Sequence, residues 1–147
     1  MERRLVSQSR ILGVDYGTRR VGLAMTDPLG LFAHPVGTFT PEETIKQIRA
    51  IDAEDGVARL VVGWPLTLDG REAEAAARVQ TYIDRLNKIF PHIPIEKMDE
   101  RFSSRRASTA LVEAGVRKKA RRQKGRIDSA AAALILQDYL DERSAGI

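Results

Sequence analysis

The chain has no cysteine, which removes disulfides and thiolate metal sites together. It has only two histidines, His34 and His92. Both stand beside prolines in predicted loops, so a zinc site built on imidazole is not expected and neither residue is assigned chemistry. A metal held by this protein would have to rest on carboxylates, and oxygen-only donors favour Mg²⁺ or Mn²⁺. Long apolar runs are missing as well. No stretch approaches the roughly 20 residues of a membrane-spanning helix. The opening residues Met1 to Gln8 lack the apolar core of a signal peptide. The expectation is a soluble, cytoplasmic protein with no membrane partner.

What is present suits one domain. The chain has 147 residues, 43% of them hydrophobic, enough for a sizeable core. We read 1–147 as a single domain with a flexible N-terminus over residues 1–9. The net charge is +4, and its distribution says more than its total. Seven of the 24 basic residues, Arg117, Lys118, Lys119, Arg121, Arg122, Lys124 and Arg126, fall in one ten-residue stretch without an acid. The other 17 are outnumbered by 20 acids, so the positive excess belongs to this segment. Residues 116–127 are therefore read as a basic loop. On charge alone, a polyanion partner and a merely solvated loop fit equally well.

The pattern along the chain is α/β. Ile11, Leu12 and Val14 read as a buried strand ending at Asp15, and a glycine turn returns the chain through Val21 to Met25. Asp27-Pro28-Leu29-Gly30 signals the next turn, and Val36 to Phe39 a third short strand. Thr40-Pro41-Glu42-Glu43 opens a helix with a capping box, its apolar face supplied by Ile45, Ile48 and Ile51. Gly56 stops it. The run Arg59 to Gly63 reads as a buried strand, and a long amphipathic helix follows from about Arg71 to Phe90. Ile93, Ile95 and Met98 suggest a last strand ending at Asp99-Glu100. A helix beginning near Ser103 or Ser104 and stopping at Gly115 comes next, and a final buried helix runs from Ala130 to Leu140, opened by Asp128. Three strands in a meander and two more joined through helices predict a mixed sheet of about five strands with helices on both faces.

Three acids end up at positions that could converge. Asp15 and Glu100 close strands, and Asp128 opens the terminal helix. In open sheets ligands bind beyond the carboxyl ends of strands. Carboxylates gathered there repel unless a cation lies between them, and divalent cations would also drive phosphodiester hydrolysis without a protein nucleophile. Each acid also has a plain reading: Asp15 as a turn former, Glu100 in a surface ion pair, Asp128 as a helix cap. Around them, Arg19, Arg20 and Arg101 could meet phosphates, Thr18 could orient a water, and Asp99 could support a ligand. Trp64 could stack on a base or cover the core.

Four motifs carry a resemblance to one family. Gly13-Val14-Asp15-Tyr16-Gly17-Thr18-Arg19-Arg20-Val21-Gly22-Leu23-Ala24 resembles the opening motif of the YqgF/RuvX family. Val62-Gly63-Trp64-Pro65-Leu66 with Asp69-Gly70 is similar to its Gly-x-Pro loop, with Trp64 where leucine is expected. Asp99-Glu100-Arg101-Phe102-Ser103-Ser104 is similar to its Asp-Glu-Arg motif, and Asp128 through Leu140 to its acidic C-terminal helix. The motifs occur in family order over about residues 10 to 140. The resemblance implies an RNase H-like fold with the first three strands antiparallel, and a metal-dependent nuclease with Asp15, Glu100 and Asp128 as its catalytic, metal-holding acids. It further implies a role in maturing the 5′ end of precursor 16S ribosomal RNA, with branched DNA such as Holliday junctions as the rival substrate. Expected partners are nucleic acid and ribosomal particles, with the protein a monomer or homodimer. A non-catalytic ribosome-assembly factor is the competing class. An ATPase reading, prompted by the Asp-x-Gly-Thr likeness to the actin and Hsp70 group, is disfavoured because those proteins close two such lobes on a nucleotide.

Overall fold

The computed structural model describes residues 9–65, 70–99 and 124–145. Strand β1 (Arg10–Tyr16) sits at the centre of the sheet. It pairs antiparallel with β2 (Val21–Thr26), which pairs antiparallel with β3 (Ala33–Phe39). On its other side β1 pairs in parallel with β4 (Val57–Trp64), and β4 in parallel with β5 (Ile95–Asp99). The order is β3-β2-β1-β4-β5, a five-stranded mixed sheet with its first three strands antiparallel, as the sequence pattern predicts.

Helix α1 (Pro41–Glu54) begins as its sequence dictates. The Thr40 hydroxyl accepts from the Glu43 amide at 3.1 Å, and the Glu43 carboxylate accepts from the Thr40 amide at 3.0 Å. It ends at Asp55, and Gly56 then takes a left-handed φ of 81°, open to glycine at little cost. Helix α2 covers Gly70–Ile89. Both pack on one face of the sheet, where Leu12, Val14, Leu23, Leu60 and Val62 meet Ile45 and Ile48 of α1 and Val79, Ile83 and Leu86 of α2. The opposite face is covered by α3 (Lys124–Ala145), whose Ala132, Ile135, Leu136 and Tyr139 pack on Ala24 and Val61. Helices thus lie on both faces.

Several boundaries differ from expectation. Strand β3 begins at Ala33 rather than Val36, because pairing with β2 continues to Thr26, and so His34 lies in the strand and not in a loop. Ile93 is buried in the turn before β5 rather than in the strand, its amide donating to the Phe90 carbonyl at 3.0 Å. Helix α3 starts at Lys124, inside the segment read as a basic loop, and so Asp128 lies in its second turn and is not its cap. The charge run disguised a helix start: Lys and Arg are good helix formers, and a single glycine in a first turn is a small cost against them. The predicted helix between Ser103 and Gly115 lies outside the described residues, as do most of the loop after Trp64 and the N-terminal eight residues. No helix among the described residues is long and apolar enough to cross a membrane.

Candidate active site

The two faces of β1 settle on which side of the sheet Asp15 lies. Leu12 and Val14 are fully buried on the α1/α2 side. Ile11 packs on the α3 side, and Gly13 lies directly beneath α3. Alternation along the strand gives Asp15 the same face as Ile11 and Gly13. It is half-buried at the carboxyl end of the strand. Its cross-strand partner on β2 is Gly22. On β4, Gly63 follows Val62, the partner of Val14. Glycines thus flank Asp15 on both neighbouring strands.

The polarity of α3 follows from two contacts. The Gln137 side chain accepts from the Ala33 amide at 2.9 Å. Ala33 pairs with Thr26, whose hydroxyl accepts from the Ile11 amide at 3.0 Å. Residue 137 thus lies over the amino end of β1, while Ala132 and Leu136 lie over Gly13. Traced back toward its start, α3 runs toward the Asp15 end. Position 128 is one turn before Ala132, about 6 Å along the helix, and Asp15 is two residues past Gly13, about 7 Å along the strand. The backbone positions of these two acids thus share one end of one face. Glu100 and the side chain of Asp128 lie outside the described residues, and among the described residues no three potential metal-binding side chains come together.

The turn beyond Asp15 is closed by the Gly17 amide donating to the Arg20 carbonyl at 2.9 Å. It leaves Thr18, Arg19 and Arg20 exposed at the same end. Tyr16 turns to the other face and packs on Tyr82 of α2, ring centroids 4.6 Å apart. Asp99 ends β5 opposite Trp64, is exposed, and by alternation shares the face of Trp64 and Lys97, not that of Asp15. Trp64 packs against the α1/α2 core, and the Lys97 ammonium sits 4.0 Å over its ring. That lysine escapes a reading of the sequence, because only the β4–β5 register brings it to the tryptophan. Arg101, Arg117, Lys118, Lys119, Arg121 and Arg122 lie outside the described residues; Lys124 and Arg126 occupy the first turn of α3.

The donor set at this end suits a hard cation. It offers carboxylate, the chain has no thiol, and both imidazoles lie at the opposite end of the sheet. His92 is held there by Asp52 of α1 at 2.7 Å, and His34 pairs with Met25 near the start of β3.

The sequence profile of the RuvX family, described as Holliday junction resolvase, matches residues 9–142. The chain belongs to the RuvX family. A relative from Salinibacter ruber, named "Putative pre-16S rRNA nuclease", is 46% identical over 137 residues, covering 93% of this chain and 96% of its own. One of the same name from Chlorobium phaeobacteroides is 47% identical over 132 residues, covering 90% of this chain and 92% of its own. Among solved structures, T. thermophilus RuvC in complex with a Holliday junction substrate superposes with a TM-score of 0.58 at 14% identity, covering 93% of this chain and 96% of that one. At that identity the likeness speaks for the fold alone. It agrees with the RNase H-like architecture expected of this RuvX-family chain.

Proposed function

We propose that this protein is a metal-dependent nuclease that hydrolyses phosphodiester bonds in precursor 16S rRNA. Asp15, Glu100 and Asp128 are its catalytic acids, and together they hold Mg²⁺ or Mn²⁺. The observation that carries the reading is the Asp15 end of β1: a half-buried acid flanked by glycine on both neighbouring strands, and α3 running toward that end with position 128 one turn before its contact with Gly13. Family membership and the names of the relatives support the same chemistry.

Acids crowded at a strand end repel one another, and a divalent cation removes that cost. When bound, it supplies charge stabilisation of the phosphoryl oxygens and a more acidic water. The chain's own residues do the rest. Arg19 and Arg20, exposed beside Asp15, hold backbone phosphates, joined by Arg101 and by the basic run Arg117, Lys118, Lys119, Arg121, Arg122, Lys124 and Arg126. Thr18 orients the attacking water, whereas Asp99, expected from the sequence to support a ligand, lies on the face of Trp64 and Lys97 and takes no part in the site. Such contacts fix register on the nucleic acid and are salt-sensitive, whatever the sequence cut.

The family's description and the RuvC fold favour one second reading, cleavage of four-way DNA junctions. Incubating the purified protein with precursor rRNA and with four-way junctions, each with Mg²⁺ and with EDTA, separates the two. Cleavage of RNA that needs Mg²⁺ and falls at least a thousandfold in Asp15→Asn, with binding retained, is expected. Junction cleavage alone moves the substrate to DNA. Absence of cleavage on both, with tight binding, leaves a ribosome-assembly factor. Undiminished cleavage by Asp15→Asn removes Asp15 from the site.

A further inference from the structure

The same strand holds a residue whose importance lies in what it lacks. A Cβ built on Gly13 would come 2.8 Å from the Ala132 carbonyl oxygen and 2.9 Å from the Leu136 Cβ. Carbon atoms do not approach that closely, and neither neighbour is the free end of a flexible side chain. One is helix backbone and the other is the first atom of a fully buried leucine. The helix therefore touches the sheet backbone itself at this point. Ala132, also fully buried, keeps the helix side equally thin. Gly13 is two residues before Asp15 on the same face, and Ala132 is one turn after position 128 on the same helix.

We propose that Gly13 is a positioning residue of the acid site: the missing side chain sets the depth at which α3 lies on β1, and through it the separation of Asp15 from Asp128. This rests on the metal-holding reading given above. Ordinary contact at Gly13 would require α3 to rise by roughly 0.5 Å or more, which is the tolerance within which a metal or catalytic constellation must be held. The lift enters one turn from Asp128 and two residues from Asp15, too close to be absorbed elsewhere in a rigid helix and a central strand. The acids are spread, and the cation they share is held less tightly.

The test is Mn²⁺ binding to the full chain by calorimetry, with no nucleic acid present. Gly13→Ala is expected to weaken Mn²⁺ binding by about tenfold or more, the usual size of a positioning effect on a metal site. Ala132→Ser adds one atom on the helix side of the same turn. It enlarges a fully buried residue of the helix turn that touches Gly13, and it is expected to weaken binding in the same direction by a lesser factor. Ile48→Val, in α1 on the other face, lowers the melting temperature without touching this contact and is expected to bind Mn²⁺ as the parent does. Wild-type affinity in folded Gly13→Ala, or in Ala132→Ser if Gly13→Ala does not fold, overturns the proposal. So does an equal loss in Ile48→Val, which would make the effect one of general stability. Asp15→Asn in the same titration separates the two levels of inference. If it binds Mn²⁺ like the parent, the metal-holding reading falls and takes the role of Gly13 with it. If Asp15→Asn loses binding while Gly13→Ala keeps it, only the role of Gly13 falls.

Discussion

The two faces of β1 are built from different material. One presents Leu12, Val14 and Tyr16 to α1 and α2, and its bulk is stitched into the larger of the two cores. The other presents Ile11, Gly13 and Asp15 toward α3 and has no side chain at Gly13, where the helix meets the strand. Burial of large aliphatic groups rewards volume and forgives small displacements. A constellation of acids rewards distance and forgives little. Residues adjacent in sequence therefore answer to different demands, and a substitution at position 12 should fail differently from one at position 13.

That contrast can be broken most forcefully with Leu12→Ala. Leu12 is wholly buried, and its truncation is expected to cost about 2–5 kcal/mol of unfolding free energy. Mn²⁺ affinity and cleavage per folded molecule should stay at parental values. Urea unfolding with calorimetry on the same preparation reads both. If Leu12→Ala weakens Mn²⁺ binding as much as Gly13→Ala does, the faces are not separable and the division drawn here is wrong.

A smaller loss comes from the start of α1. Thr40→Ala removes one half of a capping box while leaving the buried Thr44, Ile45 and Ile48 in place. About 1 kcal/mol is expected, a shift of roughly 2–4 °C in a domain of this size. Thermal unfolding measures it, and cleavage should not follow.

Much of this contrast was open to inspection in the residues alone. Thr40 and Glu43 announce their helix because capping chemistry is local. The turn after β2 is equally local: Asp27 accepts from the Leu31 and Phe32 amides at 2.8 and 3.2 Å, and these bonds, that from Phe32 foremost, hold its carboxyl below the usual range. Asp15 could be placed at a strand end because an apolar run stops there. The face it occupies could not. Ile11-Leu12-Gly13-Val14 is apolar throughout, and a buried strand with cover on both sides gives no alternation to read. Lys97 and Trp64, far apart along the chain, meet only through a parallel register. The start of α3 was hidden for a different reason, since a cationic run reads as solvated loop until packing of its continuation onto β1 and β2 extends the helix through it. Gly13 was visible only as part of a motif. Its role depends on Ala132 and Leu136, and no local pattern reports a contact across that distance.

The smallest expected effect belongs to Tyr82, which joins the bulky face to the Asp15 end by packing on Tyr16. Its hydroxyl donates to the Pro41 carbonyl at 2.8 Å, and burial raises its pKa well above the ordinary tyrosine value. A raised pKa in the folded state means that folding favours the neutral phenol. The associated stability is fully present below the unfolded value, near pH 10, and is lost as pH climbs toward the folded value. Tyr82→Phe cannot ionise at this position. At neutral pH it should lose the hydrogen bond to Pro41, about 1 kcal/mol, with ring packing kept. Above pH 10 the parent should lose stability faster than the variant, so the two unfolding curves converge. Denaturation midpoints from pH 8 to pH 11 check this, and parallel decline of both proteins would show that the alkaline loss originates at another tyrosine.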